Sequence, residues 1–135
     1  MIVVDTNVIS YFYLASEYSE LAEELFLKTP SWSAPLLWRC EFRNVLMVYA
    51  RKGIITLQDA IQIFEAAAGL FQDNEYAVNS SQVLMLSMHS GCSAYDCEFV
   101  NLAQDLGVPL VTMDKKILLN FKGTAVSIQE YLEKY

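Results

Sequence analysis

The sequence predicts an α/β fold, a mainly parallel five-stranded sheet sandwiched between layers of helices, and three observations carry that prediction. Short apolar, β-branched runs alternate with stretches of helical periodicity. The connections between them are short and carry glycines at 53, 91 and 107, natural helix terminators. Acidic residues stand where apolar segments meet helix starts: Asp5, Glu41, Asp96 and Asp114. In open parallel sheets, ligands gather at the carboxyl ends of strands where strand order reverses, and right-handed crossovers put helices on both faces.

Each element has its own signal. Ile2-Val3-Val4 is a compact strand. Residues 7–14 and 17–28 follow as helices, the second with Leu21 and Leu25 inward and Glu20, Glu23 and Glu24 on a solvated face. Residues 31–34 form a second strand, stopped by Pro35, a good first helical residue. The helix so begun runs to Lys52, and Gly53 caps it. Thr56-x-x-Asp59 is a capping-box pattern opening a helix to about Phe71. Residues 75–78 form a third strand, 80–90 a helix, and 91–93 a loop. A helix over 94–106 ends at Gly107, 109–113 is the fourth strand, and 115–121 a short helix. An edge strand over 124–128 precedes the terminal helix.

The 135 residues read as one domain, long enough to bury about two-thirds of the unfolded surface. No apolar run approaches the ~20 residues that a membrane span needs. The N-terminus lacks the basic region and cleavage site of a signal peptide, so the chain reads as soluble and cytoplasmic. Cys40, Cys92 and Cys97 are odd in number without Cys-x-x-Cys spacing, and read as reduced thiols packed as small apolar groups. A formal net charge of −7 argues against nucleic-acid binding over the whole surface, but leaves room for a local basic rim, a bound cation or a basic protein partner.

At 100° per residue, Glu41 falls between Leu37, Val48, Val45 and Trp38, an apolar stripe, with Arg39 and Arg43 pointing away and Asn44 on its own side. Asp96 falls between Val100 and Ala103, while Glu98, Asn101 and Asp105 occupy the wet face. Each acid also fits a structural role. Glu41 suits a helix dipole, Ser93-x-x-Asp96 is a capping-box pattern, and Asp5 and Asp114 fit caps after strands. If the first and fourth strands are neighbours, Asp5 and Asp114 face each other. Carboxylates so converged repel, and each acquires a raised pKa or needs a cation. Mg²⁺ and Mn²⁺ are hard ions suited to such oxygen ligands, and Thr6, Asn7, Ser93 and Thr112 are placed to orient the carboxylates.

The runs Val4-Asp5-Thr6-Asn7-Val8-Ile9, Ala34-Pro35 through Glu41 with Asn44-Val45-Leu46, Tyr95-Asp96 with Leu102-Ala103, and Leu110-Val111-Thr112-Met113-Asp114-Lys115-Lys116 resemble the PIN-domain family along essentially the whole chain. The likeness is to small single-domain members typified by the VapC toxins of toxin–antitoxin pairs. It implies a metal-dependent ribonuclease leaving a 5′-phosphate and a 3′-hydroxyl. Asp5, Glu41, Asp96 and Asp114 match the family's acidic quartet, with Asp114 the least uniform metal ligand; Thr112 and Asn7 match its polar positions. The implied chemistry uses one or two Mg²⁺ or Mn²⁺ ions to activate water for attack on an RNA phosphodiester. Lys115 and Lys116 are then placed to steer the RNA backbone, unless they merely solvate a helix turn. A basic antitoxin wrapping the acidic protein, and inserting an arginine or lysine into its pocket, also follows from the resemblance.

Other chemistries fare worse. His89 is the only histidine, which excludes a nuclease using two of them, and a zinc-binding His and Cys set is missing. There is no glycine-rich phosphate loop. A phosphoryl-accepting receiver needs an acidic pair after its first strand, and a dehalogenase-like phosphatase needs Asp-x-Asp; here the residues are Asp5-Thr6-Asn7. A catalytically silent binding module remains as the non-enzymatic alternative. Phe42, Leu46 and Met47 lie off the Glu41 side, so helices 36–52 and 56–71 offer either extra core or a homodimer face.

Overall fold

The computed structural model describes residues 1–135. Strands β1 (Ile2–Val4), β2 (Trp32–Pro35), β3 (Glu75–Tyr76), β4 (Leu110–Val111) and β5 (Ala125–Val126) align in the order β3-β2-β1-β4-β5. All four neighbouring pairs are parallel. Helices α1 (Thr6–Tyr13), α2 (Ser19–Lys28), α3 (Leu37–Arg51), α4 (Leu57–Leu70), α5 (Ser80–Ser90), α6 (Ala94–Leu106), α7 (Lys115–Asn120) and α8 (Ile128–Lys134) complete a three-layer sandwich. Strand order reverses between β1 and β4, the place where an open parallel sheet leaves a crevice. Asp5 follows the first of these strands and Thr112–Asp114 the second.

Burial explains the residue choice. β1 lies at the centre of the sheet and is covered on both faces, so Ile2, Val3 and Val4 are all fully buried and apolar. α6 lies across β1, β2 and β4 and is the most buried helix, through Cys97, Phe99, Val100, Leu102 and Ala103. α3 is fixed by aromatic packing. Trp38 stacks on Phe64 with ring centroids 5.4 Å apart, and approaches Phe71 at 4.8 Å. Its indole N–H donates to Glu75 at 2.8 Å, and Arg39 grips the same carboxylate with a second N–H at 2.8 Å. That fork ties α3 to the edge strand β3 and holds Glu75 below the usual carboxylate range.

Several sequence expectations need correction. Of the two roles open to Phe42 and Leu46, both take the core role with Trp38; the inward stripe of α3 is Trp38, Phe42 and Leu46, not the one centred on Glu41. Glu41 and Val45 flank that stripe, and Val48 is exposed. Asn101 is buried rather than wet, because it accepts from the Asn79 N–H at 3.2 Å and donates to Gln82 at 2.6 Å, pinning the start of α5. Pro35 lies in β2 opposite Tyr76 instead of opening the helix. The ladder to β3 uses the N–H groups of Ala34 and Leu36, so the proline's missing donor costs nothing there. Cys92 and Cys97 are buried as expected, but Cys40 is exposed.

One buried group lacks a partner in a way that can be tested. Ser33, in the middle of β2, is fully buried and its hydroxyl has no hydrogen-bond partner. Removing an unsatisfied hydroxyl relieves its desolvation cost. Ser33→Ala is therefore expected to stabilise the protein by about 1 kcal/mol, a rise in Tm of a few degrees. A lower Tm by calorimetry would show that the hydroxyl is bonded in solution.

Candidate functional site

Asp5 is held from two sides. Its backbone is extended after β1, and its Oδ1 accepts the Thr6 N–H at 2.8 Å, capping α1. Its Oδ2 accepts the Thr112 hydroxyl at 2.7 Å, from the end of the neighbouring β4. That hydroxyl in turn accepts the Asp114 N–H at 3.1 Å and, at a longer 3.4 Å, the Asn7 side-chain amide. The Asn7 carbonyl oxygen accepts the Met113 N–H at 3.3 Å. Asn7 and Thr112 thus stitch the β1–α1 junction to the β4–α7 junction. Thr6 reaches the other way, donating its hydroxyl to Glu41 at 2.7 Å and fixing α3 relative to α1.

The remaining acids differ in how far a helix cap occupies them. Asp114 caps α7, its Oδ1 accepting the Ile117 N–H at 3.0 Å. Ser93 caps α6 by accepting the Asp96 N–H at 3.0 Å. The reciprocal bond from the Asp96 carboxylate back to Ser93 is not made. By contrast, Thr56 and Asp59 at the start of α4 complete both halves of a capping box. The Asp96 carboxylate therefore makes no bond to the Ser93 backbone, although the Ser93 side chain lies close enough to lower its pKa.

Asp5, Glu41, Asp96 and Asp114 all line one open cavity of ≈ 430 Å³, together with Thr6, Asn7, Ser10, Tyr11, Asn44 and Val45. The protein's two ion pairs are Arg39–Glu75 and Lys134–Glu130, so no cation of the chain is paired with any of the four. Burial raises the Asp5 carboxyl from 3.8 to about 7 against its two hydrogen bonds, and the charges of Glu41 and Asp96 add to the rise. Glu41 is raised mainly by burial, with the Thr6 bond opposing. Asp96 is raised by burial and then by repulsion from Asp114, with the Ser93 side chain and, less strongly, Lys116 opposing.

No three of these carboxylates are drawn together closely enough to hold a metal ion by themselves. The donor set nevertheless suits a hard divalent cation. It is all oxygen and unpaired, and Mg²⁺ or Mn²⁺ keeps several waters that fill the coordination positions a loose protein set leaves. Among the residues singled out from sequence, Asp5, Thr6, Asn7, Glu41, Asp96 and Asp114 line the cavity. Thr112 is fully buried behind Asp5, and Ser93 holds the start of α6. Lys115 is exposed at the start of α7, while Lys116 donates to the Gly91 carbonyl at 2.7 Å.

Two residues near the acids went unread in the sequence, and a third was placed on the wrong face. Ser10 and Tyr11 line the cavity, and their spacing of three and four from Asn7 puts them on one side of α1, a signal available in the sequence. Glu98 is half-buried rather than wet, raised by burial and by its proximity to Glu41, which only the tertiary fold reveals.

The family model described as "PIN domain" matches residues 2–122. The chain is 28% identical over 123 residues to Ribonuclease VapC3 of Pyrobaculum aerophilum, covering 89% of this chain and 94% of that protein. Its fold is similar to the crystal structure of PAE2754 from Pyrobaculum aerophilum, with a TM-score of 0.77 at 21% identity, covering 98% of this chain and 87% of that one. A toxin–antitoxin complex from Klebsiella pneumoniae contains a chain similar at a TM-score of 0.67 and 19% identity, covering 95% of this chain and 98% of that one.

Proposed function

The chain belongs to the PIN-domain family, and on that premise we propose that it is a metal-dependent endoribonuclease, the toxin of a toxin–antitoxin pair. The observation that carries the reading is the meeting of four unpaired carboxylates, from four distant stretches of chain, in one cavity at the reversal of strand order. The name of the VapC3 relative, a ribonuclease, supports RNA as the substrate. The toxin–antitoxin complex among the fold's neighbours supports a protein partner.

In this reading Asp5, Glu41 and Asp96 hold Mg²⁺ or Mn²⁺, with Asp114 at the margin because one of its oxygens already caps α7. When bound, the ion supplies an acidified water and offsets negative charge on the phosphate. The chain's own residues do the rest. Thr112 and the Thr6 amide fix both oxygens of Asp5, and the Thr6 hydroxyl fixes one oxygen of Glu41, so these two ligands are oriented before an ion would bind. Lys115 and Lys116, beside Asp114, attract the RNA backbone toward a pocket that otherwise repels it.

An acidic chain suits a basic antitoxin, whose arginine or lysine would neutralise the pocket. Homodimerisation and a cytoplasmic location complete the proposal; no helix is long and apolar enough to cross a membrane. The test is cleavage of a structured RNA with Mn²⁺ present, then with the metal removed by EDTA. Cleavage is expected to disappear with the metal and return on its restoration. RNA binding with no cleavage under either condition would leave a silent binding module, and an EDTA-resistant rate would remove the metal from the mechanism.

A further inference from the structure

The turn between α5 and α6 sets where Asp96 stands. Gly91 ends α5 in the left-handed region at φ 73°, and Ser93 caps α6 two residues later. Within this turn the Cys92 N–H donates to Ser90 at 3.0 Å, and the Cys92 carbonyl accepts the Ser87 hydroxyl at 2.7 Å. Those bonds tie the turn to α5, and the apolar cluster of Val83, Cys92 and Cys97 packs against Phe121 at the far end of α7. The hydrogen bond from the turn to the start of α7 is made by the Gly91 carbonyl, which accepts Lys116 Nζ at 2.7 Å. Lys116 sits in the first turn of α7, the helix that Asp114 caps, and α7 itself packs chiefly on β5.

One side chain thus bridges the two helix starts that present Asp96 and Asp114, acids that repel each other across the pocket. We propose that Lys116 is a positioning residue, a strap from α7 to the Gly91 carbonyl that fixes the separation of Asp96 and Asp114 and so shapes the pocket for a divalent cation. The inference rests on the ribonuclease reading and goes beyond a general attraction for RNA. Its hydrogen bond acts before any substrate arrives.

Removing Lys116 has effects of opposite sign under the two views. Were its charge alone at issue, Lys116→Met would tighten cation binding roughly twofold, since a positive charge leaves the neighbourhood of a cation site. Loss of a strap loosens two ligands, and lost supporting contacts of this kind weaken metal affinity about tenfold or more. The experiment is titration of Mn²⁺ alone, without RNA, into wild type, Lys116→Met, Lys115→Met and Asp5→Asn, followed by calorimetry. Lys115 carries the same charge next door and no bond to the turn. The expected result is Mn²⁺ binding about tenfold weaker in Lys116→Met and unchanged or slightly tighter in Lys115→Met. Thermal unfolding in EDTA is expected to be unaltered by either. Equal or tighter binding in Lys116→Met, or equal weakening in both lysine variants, would overturn the strap. Wild-type binding no tighter than that of Asp5→Asn would instead overturn the metal reading, and the strap with it.

Discussion

Replacing Asp5 with asparagine is expected to lower Mn²⁺-dependent RNA cleavage by about a thousandfold or more while leaving the protein folded. Asp5 is the most buried of the pocket acids and the one fixed through both oxygens. Asparagine keeps its shape and removes the negative charge, which is what an ion-binding role requires and a structural role does not. The amide oxygen can still accept the Thr6 N–H. Its NH₂ group must then donate to Thr112, whose hydroxyl has two acceptor sites, already used by the Asp114 N–H and, at 3.4 Å, by Asn7. The long Asn7 contact is the one expected to yield, at a cost well within what relief of a buried charge offsets. Cleavage rates compared at saturating Mn²⁺, with Tm measured beside them, separate the cases. An active Asp5→Asn variant would remove the assignment of this pocket to catalysis, whereas an unfolded one would mean that the carboxylate serves the fold.

The sequence made the centre of the molecule legible and its edges less so. β1 and β4 read cleanly because central parallel strands are buried on both faces and show as unbroken apolar runs. The acids that follow them, Asp5 and Asp114, read equally well once the strands were taken as neighbours. Glu41 was found through an incorrect stripe. With Trp38, Phe42 and Leu46 inward, Glu41 lies about 100° from the centre of the buried face, on the flank toward α1. Counting apolar residues alone weighted Leu37 and Val48 as heavily as Trp38 and Phe42. What turns the helix is the aromatic cluster with Phe64 and Phe71, contributed by a later helix and invisible locally. Asn101 failed for the same reason, since its partners Asn79 and Gln82 lie about twenty residues upstream.

The apo protein is also expected to lose stability as pH rises from 5 to 8, and a divalent cation to restore it. In the unfolded chain the Asp5 carboxyl ionises near 3.8, and in the folded chain burial holds it to about 7. Below 3.8 it is neutral in both states and contributes its full share. Between 3.8 and 7 the unfolded chain releases a proton that the folded chain keeps, so rising pH favours unfolding until both forms are ionised. A separation of about three units corresponds to a total on the order of 4 kcal/mol, of which roughly 2–3 falls between pH 5 and 8. Glu41 and Asp96 shift the same way but are more open to solvent, so their additions are smaller. Glu75, lowered by Arg39, works in the opposite sense: its contribution is present above its ordinary value and lost as pH falls through the depressed one, below the window considered. In EDTA the Tm is therefore expected to drop by about 10 degrees between pH 5 and 8, and Asp5→Asn to lack most of that drop. On the proposed function a divalent cation would bind only the ionised pocket, so stabilisation by Mn²⁺ is expected to be large at pH 8 and slight at pH 5. A metal-free Tm that stays flat across this range would mean that Asp5 ionises freely in the folded protein, and that its pocket is wetter than its burial implies.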